Sequence, residues 1–123
     1  MATITKFEDL EVWKRGCRLA VDVSRTVAKS REYYIRDQMQ RSALSIPSNI
    51  AEGSERDSKL DYICFLRIAK GSAAELRTQC YIADKLEILK HDDATRFTGE
   101  CKEIASMLQG LIRAIRAKTP LET

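Results

Sequence analysis

The chain has 123 residues, of which 44% are hydrophobic and 32% charged, with five Gly and two Pro. That balance excludes a disordered tail and a loop-rich or many-turned β fold, and no apolar run nears the roughly 20 residues of a membrane helix. The formal net charge of +3 is mildly basic, and residues 1–41 carry the whole surplus: nine Lys/Arg against six Asp/Glu there, twelve of each in the remainder. Such a surplus permits an anionic partner without demanding one.

Four helical segments follow one another, separated by short polar breaks. The first is capped by Asp9 and runs to about residue 28; Leu10, Trp13, Cys17, Ala20 and Val27 recur at helical spacing. A second row, Val12, Leu19 and Val23, lies to one side and predicts a second contact, with another subunit or a third helix. The second helix spans about 34–52, with Ile35, Met39, Ala43, Ile46 and Ile50 as its apolar side. Pro47 sits inside it and removes one backbone hydrogen bond, and Gly53 reads as a C-terminal stop. The third, about 58–89, opens on Ser58 with Asp61 as a capping pair. Its apolar side is Tyr62, Leu66, Ala69, Ala73, Leu76, Cys80 and Ala83, and small residues at its middle let a neighbouring backbone come close. The fourth, about 93–118, is capped by Asp92 or Asp93 and keeps Phe97, Cys101, Ile104, Leu108, Leu111 and Ile115 in step. Arg113, Arg116 and Lys118 in its last turns complement the helix dipole. The expected fold is all-α, an up-down-up-down antiparallel four-helix bundle in a single domain over 1–123.

Cysteine and histidine offer little chemistry. Cys17, Cys64, Cys80 and Cys101 are too far apart for a metal clip, and each falls on or beside an apolar stripe, so they read as buried small hydrophobes. With no signal-like apolar segment at the N-terminus, the expected compartment is the reducing cytoplasm. His91 has no Glu three residues before it, so the Glu-x-x-His pattern of a di-metal bundle is missing.

Two polar rows interrupt the pattern. Gln38, Ser42, Ser45, Asn49 and Glu52 share a face of the second helix; Ser72, Glu75 and Gln79 share one on the third, between Phe65 and Ile68 before them and Ile82, Leu86 and Leu89 after. The apolar flanks imply burial, and buried polar groups need partners. The rows are therefore expected to face each other or a cation such as Arg41 or Arg77, forming a structural network of Arg41, Ser45, Asn49, Glu52, Ser72 and Glu75. The alternative is a solvated strip on two adjacent helices. A catalytic Glu52–Glu75 carboxylate pair lacks any supporting ligand motif, so no catalytic residue, metal or cofactor is expected.

Two basic rows are candidates for phosphate contacts: Lys14, Arg18, Arg25 and Lys29 on the first helix, partly neutralised by Glu11 and Asp22, and Arg67, Lys70 and Arg77 on the third, with Tyr81 as a stacking group. Either row can equally be an ordinary solvated face.

The run Ser45-Ile46-Pro47-Ser48-Asn49-Ile50-Ala51-Glu52-Gly53, followed by Gly71-Ser72-Ala73-Ala74-Glu75-Leu76, resembles the signature of the bacterial four helix bundle protein family, first noticed in intervening sequences of large-subunit (23S) ribosomal RNA genes. Phe7-Glu8-Asp9-Leu10-Glu11-Val12-Trp13 and Gln40-Arg41-Ser42-Ala43 extend the resemblance over about residues 7–115. It implies a left-handed up-down bundle, a ring-like pentamer and no enzymatic activity. Relatives include the accessory protein of diversity-generating retroelements, which binds nucleic acid and a reverse transcriptase through a basic surface. The leading reading is thus a non-enzymatic homo-oligomer binding RNA or DNA with little sequence specificity, its +3 per chain multiplied by assembly. The alternative is a protein-interaction scaffold without nucleic acid.

Overall fold

A computed structural model describes residues 6–118, which hold a short 3-10 turn, Phe7–Asp9, and four helices: α1 (Glu11–Val27), α2 (Tyr33–Ser54), α3 (Lys59–Lys85) and α4 (His91–Lys118). Each packs against its neighbours in the chain, and α1 closes on α4 along a thinner seam, which is the expected four-helix bundle. No strand occurs among the described residues. The core runs the length of the bundle, with Met39, Ile46, Ile50, Leu66, Leu76, Phe97, Ile104 and Leu108 fully buried.

The core stripes expected on α2 and α4 are buried except for Leu111 and Ile115, which are half-buried against the core. On α3 Tyr62 is likewise half-buried, and Ile63 and Ser72 join the buried side. On α1 the expectation was inverted. Val12, Gly16, Leu19, Val23 and Val27 are the buried face, while Leu10, Trp13, Cys17 and Ala20 are half-buried flanks. The reason is Gly16. A Cβ there would stand 3.3 Å from Ile46 Cγ2 and 3.4 Å from Pro47 Cδ, so α1 crosses α2 at a close contact that the glycine makes without displacing either side chain. Of the two contacts expected for the Val12–Leu19–Val23 row, another subunit or a third helix, it is the one inside the chain that forms, with α1 packed on both α2 and α4.

Several helix ends also differ. Asp9 belongs to the 3-10 turn, and α1 starts from Leu10 with no side-chain cap. Ser58 does cap α3, its Oγ accepting from the Asp61 backbone N–H at 3.0 Å. Helix α3 stops at Lys85 instead of Leu89, because Glu87 takes a left-handed φ of 61°. The Ile88 and Glu87 N–H groups then donate to the Ala83 and Asp84 carbonyls at 2.9 and 3.0 Å, closing the last turn in a Schellman arrangement that usually employs glycine. Helix α4 begins at His91, with Asp92 and Asp93 in its first turn.

Gly53 is not a stop: it lies within α2 with a negative φ, and its purpose is contact. A Cβ there would fall 2.6 Å from Phe65 Cβ and 3.1 Å from Tyr62 Cδ1, so α2 and α3 touch almost backbone to backbone at this end. Gly53→Ala is therefore expected to lower stability by about 1–3 kcal/mol through overpacking, despite alanine's better helix propensity. Gly110→Ala, where a Cβ meets nothing within 4 Å, is expected to raise it by about 0.5–1 kcal/mol. Urea melts of the two variants check the contrast.

Candidate functional site

The two polar rows do meet, but only at their inner edge. Ser45 Oγ and Ser72 Oγ lie 2.8 Å apart, and Asn49 Nδ2 donates to both the Ser45 carbonyl and Ser45 Oγ at 2.8 Å. Ser42 and Ser72 are buried, Ser45 and Asn49 half-buried. Arg41, Glu52 and Glu75 are exposed, contrary to the expected network; Glu52 pairs instead with Arg56 at 3.2 Å. The inference of burial came from flanking apolar residues that are themselves exposed: Ile68 by 52%, Ile82 by 44% and Leu86 by 49%. Between these rows Gln79 Oε1 is sealed from solvent with no hydrogen-bond partner among the described residues.

Charge on α1 is largely spoken for. Arg18 pairs with Glu11 at 2.9 Å, and Asp22, midway along the row, is held by Arg96 of α4. Lys14, Arg25 and Lys29 are exposed around these acids. Arg15 forms a two-pronged pair with Glu100, Nε to Oε2 at 2.7 Å and Nη2 to Oε1 at 2.6 Å, and approaches Glu103 at 3.9 Å. Those bonds hold the Glu100 carboxyl below its ordinary range, the Arg15 hydrogen bond being the main cause. A cleft of about 190 Å³ between α1 and α4 is lined by these same paired groups.

The other seam of α4, with α3, is different. Lys70 Nζ donates to Gln109 Oε1 at 2.7 Å, which fixes the register of the two helices. Cys101 and Ala105 lie beside Lys70 and Arg77 around a notch of about 200 Å³. Lys102 and Arg116, seven residues either side of Gln109, and Arg113, four after it, share its face of α4. Register then sets Arg113 near the level of Arg67 and Lys102 near that of Arg77. The seam thus carries Arg67, Lys70, Arg77, Lys102, Arg113 and Arg116, and among the described residues none of the six takes part in an ion pair. Nor does a carboxylate interrupt it: Glu75 sits on the Ile68–Ile82 face of α3, and Glu100 and Glu103 turn toward Arg15. The first acid beyond Tyr81 is Asp84, engaged by His91 at 2.9 Å. The α3 half of this strip was among the sequence candidates. The α4 half was missed, although the 102–109–116 spacing carried it, because Arg113 and Arg116 were read only as helix-end charges.

Among the described residues no group of three or more His, Cys, Asp or Glu is placed to hold a metal ion, and no described helix is long and apolar enough to cross a membrane. Of the cysteines, Cys80 and Cys101 are buried as expected, and burial pushes both thiols up to about 12, with Cys80 adding to the rise at Cys101. Cys17 is half-buried and Cys64 exposed, so the buried reading fails for Cys64.

Over residues 8–110 the chain matches the model of one protein family, described as 23S rRNA-intervening sequence protein. It is also similar to a crystal structure of a protein with unknown function from the S23 ribosomal protein family of Bacteroides thetaiotaomicron. The two superpose with a TM-score of 0.77 at 25% identity, over 82% of this chain and 97% of that one. No curated protein matches it.

Because the folded-state carboxyl of Glu100 titrates below its unfolded counterpart, near 4.3, its pairing with Arg15 stabilises the bundle fully above that value. The contribution disappears as pH falls through the lowered folded-state value. Glu100→Gln is expected to lower the urea midpoint at neutral pH, with the difference from the parent shrinking below about pH 4. A difference that stays constant down to acid pH contradicts the pairing.

Proposed function

The chain belongs to the 23S rRNA-intervening sequence protein family, and from that premise we propose that it is a non-enzymatic, homo-oligomeric bundle protein that binds RNA or DNA through the phosphates, along the α3–α4 seam. The observation that carries this reading is the strip of six cations, which among the described residues have no ion-pair partner and no intervening carboxylate. From Lys102 to Arg116 it extends about 21 Å along α4. Six like charges on one face repel one another, so the strip is a cost to the isolated chain that a polyanion removes. The α1 row makes a weaker candidate, since Glu11 and Asp22 neutralise its centre. Cations displayed on two straight helices reach a phosphate backbone and do not enter a groove to read base edges, so sequence preference is slight. No cofactor or metal enters the reading, and the buried free thiols suit a reducing cytoplasm.

Self-association is supported by the outer face of α3. Ile68, Ile82 and Leu86 are exposed there, an apolar row that a second copy of the chain can cover. A pentamer is the assembly that the family resemblance implies, and five copies carry 5 × 3 = +15 formal charges. The second reading, a scaffold for another protein such as a reverse transcriptase, draws on Tyr33, Tyr34, Leu44 and Leu60, each more than half exposed.

Salt separates the two. Nucleic-acid affinity is expected to fall linearly with salt on logarithmic axes, with a slope of about −4 to −5 for six phosphate contacts. Replacing Arg67, Lys70 and Arg77 by Gln flattens that slope by about half, roughly 2 to 2.5, whereas the same change at Lys14, Arg25 and Lys29 leaves it unchanged. Undetectable binding at about 50 mM salt transfers the assignment to the scaffold. For assembly, light scattering on the gel-filtration peak is expected to give a mass near five subunits, reduced to one by Ile68→Asp with Ile82→Asp. A parent chain that runs as a single subunit overturns the oligomer.

A further inference from the structure

We infer, resting on the reading of the α3–α4 seam as the nucleic-acid face, that its ligand is a single strand: one unstacked base enters the notch between Lys70 and Arg77 and another stacks on Tyr81. The notch, about 200 Å³, is lined by buried Ala73 and Cys101 and half-buried Ala105 at its floor, with exposed Ala74 and the two cations around them. Its apolar lining is three methyl groups and a thiol whose proton burial holds in place. No side-chain hydroxyl, amide or carboxylate lines it, so the floor has nothing with which to hold a phosphate, and the charges that can do so stand at the edge. An apolar floor beneath a cationic rim suits a flat, weakly polar face attached to an anionic backbone. A nucleobase on a sugar–phosphate chain has that chemistry.

Strandedness follows from access. In a duplex the base faces are stacked on one another and only phosphates, sugars and groove edges reach a protein surface. A recess between two helices has no use for those edges, whereas an unpaired strand can turn a base face into it. Tyr81 adds an independent observation. It stands one helical turn beyond Arg77 and four residues before Lys85, with its side chain half exposed at 51%, and among the described residues no other ring contacts it. An exposed ring in line with a row of cations is the arrangement that binds single strands by stacking while the cations follow the backbone. The Lys70–Gln109 hydrogen bond holds the Lys70 head group at the rim without neutralising it, since the amide brings no charge.

The test is fluorescence anisotropy with a fluorescein-labelled oligouridylate and with its duplex with oligoadenylate, at about 50 mM salt. The parent protein is expected to bind the single strand about tenfold or more tighter than the duplex. Ala105→Leu fills the notch while keeping every cation, and Tyr81→Ala removes the ring; each is expected to weaken single-strand binding about fivefold or more and to leave duplex binding unchanged. Ala74→Leu, at an exposed position on the same notch, replaces Ala105→Leu if that variant does not fold. Equal affinity for the two probes, or single-strand affinity untouched by both the notch and the ring variants, overturns the single-strand assignment and leaves phosphate binding standing. Binding of neither probe overturns the nucleic-acid reading itself, so the two failures are distinguishable.

Discussion

The structure depends on how closely α3 can approach its two neighbours. Toward α2 the limit is set by Gly53, where a single added carbon would land within 2.6 Å of Phe65, and by the Ser45–Ser72 contact about two turns away. Toward α4 it is set by Ala69, Ala73, Cys80 and Cys101, all buried and all small. Small side chains at both contacts leave little room for adjustment, because a close-packed seam admits no extra methylene without strain. With α3 fixed between α2 and α4, the register of Lys70 against Gln109 is fixed as well. The cationic strip is thus a consequence of core packing on the inner sides of the same helices.

Charge in this protein is sorted by seam. The α1–α4 side is laced by Arg15 with Glu100 and Glu103 and by Arg96 with Asp22 and Asp93. Partly exposed pairs of this kind contribute modestly to stability, but they compensate the side of the bundle where helix contact is thinnest. On the α3–α4 side the core seals the seam without ionic help, and the cations there remain uncompensated. A net charge of only +3 conceals this segregation, since the sum does not distinguish the paired charges on one seam of α4 from the cations on its other seam, which have no ion-pair partner among the described residues.

The fold was legible because α2, α3 and α4 place buried apolar residues, large on α2 and α4 and mostly small on α3, at three- and four-residue steps. Reading failed where a feature of the structure is carried by something without a hydrophobic side chain. Gly16 contributes no side chain to a stripe, so the row it completes looked weaker than Trp13 and Cys17 beside it, yet it marks the closest crossing of α1 and α2. Glu87 takes a left-handed turn that sequence patterns attribute to glycine, so α3 was drawn four residues too long. Gly53 was given a turn because glycine often ends helices, when its missing Cβ was needed for contact. At the site, Arg67, Lys70 and Arg77 were legible as a row on one helix. Their α4 counterparts required the antiparallel register, which is a tertiary fact. The exposure of Glu75 was misjudged for a related reason: Ile68 and Ile82 are apolar by type, and only the packing shows that this chain does not cover them.

That uncovered row and the cationic strip lie on nearly opposite sides of α3. Ile68, Glu75 and Ile82 repeat every seven residues along one line, and Lys70 and Arg77 repeat along another about half a turn around the helix. One side exposes Ile68 and Ile82 on either side of a single carboxylate, Glu75; the other carries cations alone. The arrangement separates two roles that would otherwise compete for the same surface. Copies that associate through the Ile68 row leave every Lys70–Arg77 seam turned away from the contact, so assembly adds charge without burying any of it. Were the two features on one face, association would have to desolvate cations against cations, a cost that rises with each subunit added. Their separation around a single helix would let the proposed self-association and the proposed polyanion binding coexist in a chain this small.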